Sequence, residues 1–316
     1  MTGPEAAAAC VPVRGPCIKN TIGFAYCISE GILYAFPDGR VRKDRVITME
    51  QPKKLSVSRL RKMKQEGKKI VMLTAYDYRT AQLAAACGVD MLLVGDSLGP
   101  TVLGYRNTLP VTMEQMLHHA AAVRRGAPNS FVVFDLPFMS YQESIEKALH
   151  NAGRALKEAD CDAVKLEGGA EAAPLIEALV GAGIPVMAHV GLLPQKVQTS
   201  GGYRIQGRTP EAAERILADA RAVEAAGAFS VVLECIPAEL GKSVTEALTI
   251  PTIGIGSGSD CSGQVQVMND VLGLFEATPK HAKRYAEIGR VIREALGCYA
   301  SEVRGGVFPD DEHSFQ

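Results

Sequence analysis

A chain of 316 residues, 47% apolar and 22% charged, can bury one barrel-sized core or two smaller ones. Its 34 basic and 35 acidic residues nearly cancel, and no dense Lys/Arg block alternates with aromatic side chains, which argues against a nucleic-acid partner. Charged residues interrupt every apolar segment before it reaches the length of a bilayer span, so no membrane crossing is expected and small-molecule chemistry is the default.

Residues 1–50 hold Cys10, Cys17 and Cys27 among scattered Gly and Pro and sustain neither a period of 2 nor one of 3.6, so a poorly ordered extension is expected there. Glu5 and the lack of a long apolar stretch do not suit a secretory signal. Glu5, Glu30, Asp38 and Asp44 do not suit an acid-poor mitochondrial presequence, and one expectation is that the functional chain begins at Met49. The other cysteines (Cys87, Cys161, Cys235, Cys261 and Cys298) are equally scattered without a CxxC pair, and all eight read as reduced.

From 51 to 316 the pattern is that of one barrel domain. A helix over Ser58–Glu66 comes first, and apolar runs then alternate with helical spacing. The runs are 70–75, 91–95, 131–136, 163–167, 185–190, 230–235 and 251–256, with helices expected over 79–87, 112–125, 142–159, 172–182 and 210–226. Gly88, Gly126, Gly183 and Gly227 stand where a helix hands over to a strand. An eighth strand is expected near Val271–Phe275 and a last helix over 279–305. Eight βα units in about 250 residues suit a (β/α)8 TIM barrel, with an open doubly wound sheet as the alternative. No GxGxxG follows the first run, and the Gly254-Ile255-Gly256-Ser257-Gly258 segment comes late, on the seventh.

The ends of the runs carry the chemistry. Asp96 and Ser97 close the second, Asp135 the third, Lys165 and Glu167 the fourth, His189 the fifth and Glu234 the sixth. Ligands of α/β barrels bind at those C-terminal ends. Lys165 and Glu167 are two apart, so in a strand they share a face, with Val164 and Leu166 on the other. Converging carboxylates repel unless something positive lies among them, and an all-oxygen set suits a hard ion such as Mg²⁺. The alternative is a buried salt-bridge network in which these acids pair with Lys165 and with Arg204 and Arg208. His189 reads equally as a substrate contact or a hydrogen-bonded core residue. A hard ion beside Lys165 suits a 2-oxo acid, whose adjacent C–H becomes acidic on chelation, and Glu234 is available to take the proton. Carbon–carbon bond chemistry next to a carbonyl is the reaction class indicated.

Ordered motifs make the indication specific. Thr74-Ala75-Tyr76-Asp77-Tyr78, Val94-Gly95-Asp96-Ser97-Leu98-Gly99, Thr108-Leu109-Pro110-Val111-Thr112, Arg124-Arg125-Gly126-Ala127-Pro128, Asp135-Leu136-Pro137-Phe138-Met139, Lys165-Leu166-Glu167-Gly168-Gly169, Gly201-Gly202-Tyr203-Arg204-Ile205-Gln206-Gly207-Arg208 and Glu312-His313-Ser314-Phe315 resemble the 3-methyl-2-oxobutanoate (ketopantoate) hydroxymethyltransferase family. The resemblance runs from about Leu55 to the C-terminus.

It implies a barrel of the phosphoenolpyruvate/pyruvate-binding type. The reaction implied is hydroxymethyl transfer from 5,10-methylenetetrahydrofolate to 3-methyl-2-oxobutanoate, giving 2-dehydropantoate by way of a Mg-chelated enolate, in pantothenate and coenzyme A biosynthesis. By motif, Asp96 and Asp135 would ligate Mg²⁺ with Glu167 completing the site through water. Lys165 and Ser97 would hold the carboxylate end of the oxo acid, His189 would line the substrate site, and Glu234 would be the proton acceptor. The resemblance also implies a ring-like homo-oligomer, commonly a decamer, and leaves a cytoplasmic or mitochondrial setting open. Pro100, Ser257 and Asn269-Asp270 depart from the family pattern, and none removes a proposed catalytic group. The rival readings are a Mg-dependent 2-oxo-acid lyase or phosphoenolpyruvate mutase-like enzyme, whose Lys-Lys-Cys-Gly-type loop this chain lacks, and a non-catalytic binder, which would not need Glu234.

Overall fold

A computed structural model describes residues 54–198, 202 and 204–315, and the backbone of three short strands before them. These strands, β1 (Phe24–Ile28), β2 (Gly31–Ala35) and β3 (Val41–Asp44), pair antiparallel in that order. Periodicity did not announce them, and the expectation of weak order over the rest of 1–50 lies outside the described residues. The chain divides into two compact units, Gln51–Val291 and a second made of Met1–Glu50 with Ile292–Gln316.

The first unit is a closed barrel of parallel strands, β4 (Ile70–Thr74), β5 (Met91–Val94), β6 (Phe131–Asp135), β7 (Ala163–Lys165), β8 (Val186–Gly191), β9 (Ser230–Glu234), β10 (Thr252–Ile255) and β11 (Gly263–Gln266). Side chains alternate between two apolar environments. Met91, Leu93, Phe131, Val133, Ala163, Met187, Val232, Ile253 and Ile255 fill the barrel axis. Their neighbours Leu92, Val94, Val132, Phe134, Val164, Val186, Val231 and Leu233 pack outward under the helices. That period of two decides where the ionisable ends point. Asp135 is in phase with Phe131 and Val133, Lys165 with Ala163, His189 with Met187, and Glu234 with Val232, so all four lie on the axial face.

Helix α1 (Val57–Gln65) sets Leu60 and Met63 into the same axial cluster. The outer layer is α2 (Tyr78–Ala86), α3 (Met113–Gly126), α4 (Ile145–Ala159), α5 (Ala173–Gly181), α6 (Pro210–Ala225) and α7 (Ala238–Ala247). Asp77, Thr112, Ser144 and Thr209 cap α2, α3, α4 and α6, each side chain accepting from the backbone N–H three residues on.

Two expectations need correction. The eighth strand is β11 at Gly263–Gln266, not Val271–Phe275, and Met268–Val271 is a short helix, α8. The alternation of Gly263, Gln264, Val265 and Gln266 hides a strand from any search for apolar runs. Gly263 is required by a close approach, because a Cβ there would stand 2.4 Å from the Ile70 carbonyl oxygen on β4. The last helix, α9, spans Ile288–Arg304 rather than 279–305. The backbone N–H groups of Tyr285, Ile288 and Gly289 donate to Val271, Leu272 and Gly273 instead of to a preceding helical turn.

Candidate active site

Asp96 follows β5 by two residues, Asp135 ends β6, Lys165 ends β7 and Glu167 lies two residues beyond it. Ladder pairing sets Asp135 beside Lys165. All four are at most 4% exposed. The Lys165 ammonium donates to Asp135 Oδ1 at 2.7 Å, and the Asp96 backbone N–H donates to Asp135 Oδ2 at 3.2 Å. Three buried carboxylates thus share one ammonium.

The charge imbalance shows in their titration. Burial pushes the Asp135 carboxyl up to about 7, with Asp96 adding to the rise against the pull of Lys165. Burial raises Glu167 well above the usual range, and Asp96 and Asp135 reinforce it. For Lys165, burial favours the neutral amine, but Asp135, Glu167 and Asp96 together outweigh it and hold the ammonium charged. The cluster is short of positive charge, which is the condition for taking up a cation or protons. Glu167 Oε1 is buried with no hydrogen-bond partner. Among the described residues, no three His, Cys, Asp or Glu side chains form a ready-made metal cage.

A 3₁₀ turn after β8, Pro194–Lys196, brings in a residue that was not anticipated. Gln195 Nε2 donates to Asp96 Oδ2 at 3.0 Å and to the Leu136 carbonyl at 2.9 Å, and its backbone N–H donates to Glu167 Oε2 at 3.0 Å. Gln195 Oε1 accepts from the Tyr141 hydroxyl at 2.9 Å and from Gln142 Nε2 at 3.0 Å. The only sequence signal was a polar residue directly after Pro194 at the end of a strand. Glu167 and Gln195 also line a cavity of about 380 Å³ with Phe138, Ile145 and Leu175, so Glu167 is not sealed inside the core.

His189 and Glu234 form the other half of the site. His189 Nε2 lies 3.3 Å from Glu234 Oε2, and Nδ1 is 3.8 Å from Glu167 Oε1. Neither approach has hydrogen-bond geometry, and both ring nitrogens are buried without a partner. Burial lowers the imidazole's proton affinity, and the nearby Lys165 ammonium lowers it further against Glu234, so the ring is neutral at pH 7. Glu234 is held by its backbone. The Leu192 N–H donates to the Glu234 carbonyl at 2.9 Å, and the chain turns at Cys235 with φ 49°. Gly191 (φ 96°) makes this possible, because a Cβ there would meet the Glu234 carbonyl oxygen at 2.4 Å.

Ser97 stands at the edge of the cluster, its Oγ 2.8 Å from the buried Tyr76 hydroxyl. The structure therefore brings Asp96, Asp135, Lys165, Glu167 and Gln195 into one network, with Ser97 at its rim and the His189–Glu234 pair alongside. Arg204 and Arg208 are exposed, so the salt-bridge alternative lacks its arginines.

A parallel barrel whose strands end in a buried acid cluster with a lysine defines a (β/α)8-barrel enzyme of small-molecule chemistry. The same fold is seen in 2,3-dimethylmalate lyase, described as a member of the PEP mutase/isocitrate lyase superfamily, at a TM-score of 0.54 and 19% identity over 83% of this chain and 93% of that one. The chain belongs to the ketopantoate hydroxymethyltransferase family, which it matches over residues 54–311. The 3-methyl-2-oxobutanoate hydroxymethyltransferase of Syntrophus aciditrophicus is 56% identical over 269 residues, 85% of this chain and 99% of that protein. The enzyme of the same name from Thermus thermophilus is 57% identical over 251 residues, covering 79% of this chain and 96% of that protein.

Proposed function

We propose that this protein transfers a hydroxymethyl group from 5,10-methylenetetrahydrofolate to 3-methyl-2-oxobutanoate, giving 2-dehydropantoate and tetrahydrofolate with uptake of one water. Family membership over residues 54–311 carries the reading, and every acid named above is present in the chain.

The donor set fits Mg²⁺. Asp96 and Asp135 would hold it, with Glu167 reaching it through water, and the excess of negative charge and the unpartnered Glu167 Oε1 support the assignment. Mg²⁺ keeps several of its waters, so a closed cage of three side chains is not needed. When bound, the ion supplies Lewis acidity toward the carbonyl and carboxylate oxygens of the oxo acid.

The protein's own groups do the rest. Lys165, charged at neutral pH, and the Ser97 hydroxyl bind the carboxylate end and fix its direction. Glu234, whose side chain is 15% exposed, takes the proton from C3. Neutral His189, its Nε2 3.3 Å from Glu234 Oε2, lines the site without claiming the proton that Glu234 takes. The electron pair of the broken C–H bond forms the new C–C bond to the methylene carbon. Both C–N bonds of that methylene break, water supplies the hydroxyl oxygen, and the protons from C3 and from water end on the two folate nitrogens. The exposed apolar stripe of α9, with Val291 at 50%, Leu296 at 62% and Tyr299 at 56%, supports assembly of this chain into a homo-oligomer. A cytoplasmic setting completes the proposal, supported by the bacterial origin of the relatives.

The test follows the C3 hydrogen of 3-methyl-2-oxobutanoate in D2O by NMR, without and then with the folate. Exchange without folate, 2-dehydropantoate formation with it, and loss of both in EDTA are expected. Cleavage of the oxo acid, or product that survives EDTA, would overturn the reading.

A further inference from the structure

Two features of Gln195 separate it from an ordinary buried amide. It is 4% exposed, and every hydrogen-bonding atom of its side chain is engaged in one orientation. It also reaches two of the three acids, Asp96 from its side chain and Glu167 from its backbone, and these acids follow different strands of the barrel. Among the described residues, no other that is bonded to the cluster does both: Lys165 bonds Asp135, and Asp96 reaches Asp135 through its backbone N–H.

We infer that Gln195 is a positioning residue for the divalent cation, acting through Asp96 and Glu167; this rests on the reading of those acids as the cation site. Each carboxylate is held by one oxygen, Asp96 by Oδ2 and Glu167 by Oε2, so the partner oxygen of each is set in place for another electropositive group. For Glu167 that oxygen, Oε1, is buried and unpartnered. The amide cannot turn over without setting its oxygen against the Asp96 carboxylate and the Leu136 carbonyl. Tyr141 and Gln142 lock the orientation by donating to Oε1, and the Tyr141 hydroxyl also accepts the Glu167 backbone N–H at 3.1 Å. The chain Tyr141–Gln195–Asp96 thus ties the loop after β6 and the turn after β8 to the end of β5. Groups that hold the ligands of a metal in this way typically contribute 10- to 100-fold to its affinity.

The experiment is calorimetric titration of Mn²⁺ into EDTA-treated full-length protein without substrate, backed by thermal denaturation of each variant. Gln195→Leu keeps the volume and removes the donors, and Gln195→Glu keeps the shape but turns an acceptor toward Asp96. Both should weaken Mn²⁺ about 10- to 100-fold. Tyr141→Phe, which leaves Gln195 in place without one of its two locks, should weaken it less. Asp135→Asn serves as control. If the wild type binds no Mn²⁺, or Asp135→Asn binds it unchanged, the cation site itself is misplaced. If the wild type binds and Asp135→Asn does not, while the folded Gln195 variants bind like wild type, the positioning role is overturned. Should Gln195→Leu not fold, Gln195→Glu and Tyr141→Phe carry the decision. In turnover, the role predicts that added Mn²⁺ restores kcat to the Gln195 variants, which a merely structural defect would not allow.

Discussion

Asp135→Asn isolates the cost of burying a carboxylate at the barrel mouth, to which the neighbouring Asp96 adds. The Asp135 carboxyl is fully buried beside Asp96 and is pushed from its ordinary 3.8 up to about 7. The unfolded chain releases this proton near 3.8 and the folded chain near 7. Between those values the native state binds more protons, so stability falls as pH rises. A gap of about three pH units, at about 1.4 kcal/mol each, amounts to about 4 kcal/mol, present in full below the unfolded value and lost by about pH 8. Roughly 3 kcal/mol of this belongs to the interval from pH 5 to 8. The Asn side chain still accepts from the Lys165 ammonium but cannot ionise. Urea denaturation of EDTA-treated protein at intervals from pH 5 to 8 should therefore show wild type losing about 3 kcal/mol more than Asp135→Asn. A divalent cation in place of EDTA should flatten the wild-type curve, because it favours the ionised acid. Parallel profiles for the two proteins would refute the account of Asp135 as a strained, cation-seeking carboxylate.

Three further variants separate the parts of the site. Glu234→Gln should lower kcat roughly 100- to 10,000-fold and abolish C3 exchange in D2O while leaving Mn²⁺ affinity near wild type, since Glu234 serves the proton rather than the cation. Lys165→Met removes one partner of a buried pair and should cost about 3–5 kcal/mol in denaturant titrations, together with a raised KM for the oxo acid. Gly191→Ala puts a Cβ into the Glu234 carbonyl at a backbone conformation L residues rarely adopt. It should cost more than about 1 kcal/mol and lower kcat with little change in Mn²⁺ affinity, and a wild-type kcat would show that Glu234 does not depend on that contact.

Seven strands were legible because a parallel strand covered on both faces is a short apolar run with no polar alternation, as in Met91–Val94 and Phe131–Asp135. The same rule failed at β11, where glutamines alternate with Gly263 and Val265 and the Gln264 amide is spent on the Gly258 carbonyl. It failed again at 279–287, where the Tyr285 N–H bonds back to Val271, as those of Ile288 and Gly289 at the start of α9 bond to Leu272 and Gly273. In both places the outcome was set by backbone contacts between segments distant from the pattern itself, which a periodicity argument does not contain.

The site divides along the same line. Asp135, Lys165, His189 and Glu234 were legible because a strand's period of two transmits the direction of one side chain to the next, so an acid in phase with Phe131 and Val133 must face the axis. Gln195 and Tyr141 were not legible, because a 3₁₀ turn and a loop carry no such phase and amides and phenols occur throughout loops. Yet the groups at and just beyond the strand ends make an unfavourable arrangement by themselves, three carboxylates around one ammonium. What holds Asp96 and Glu167 in that arrangement is the amide and backbone N–H of Gln195, delivered by the turn after β8. The strands thus decide which charges meet at the mouth, and the loops decide whether those charges stay oriented toward a cation. Relatives that keep the acids but change the residue at position 195 should therefore keep the fold and lose cation affinity before they lose stability.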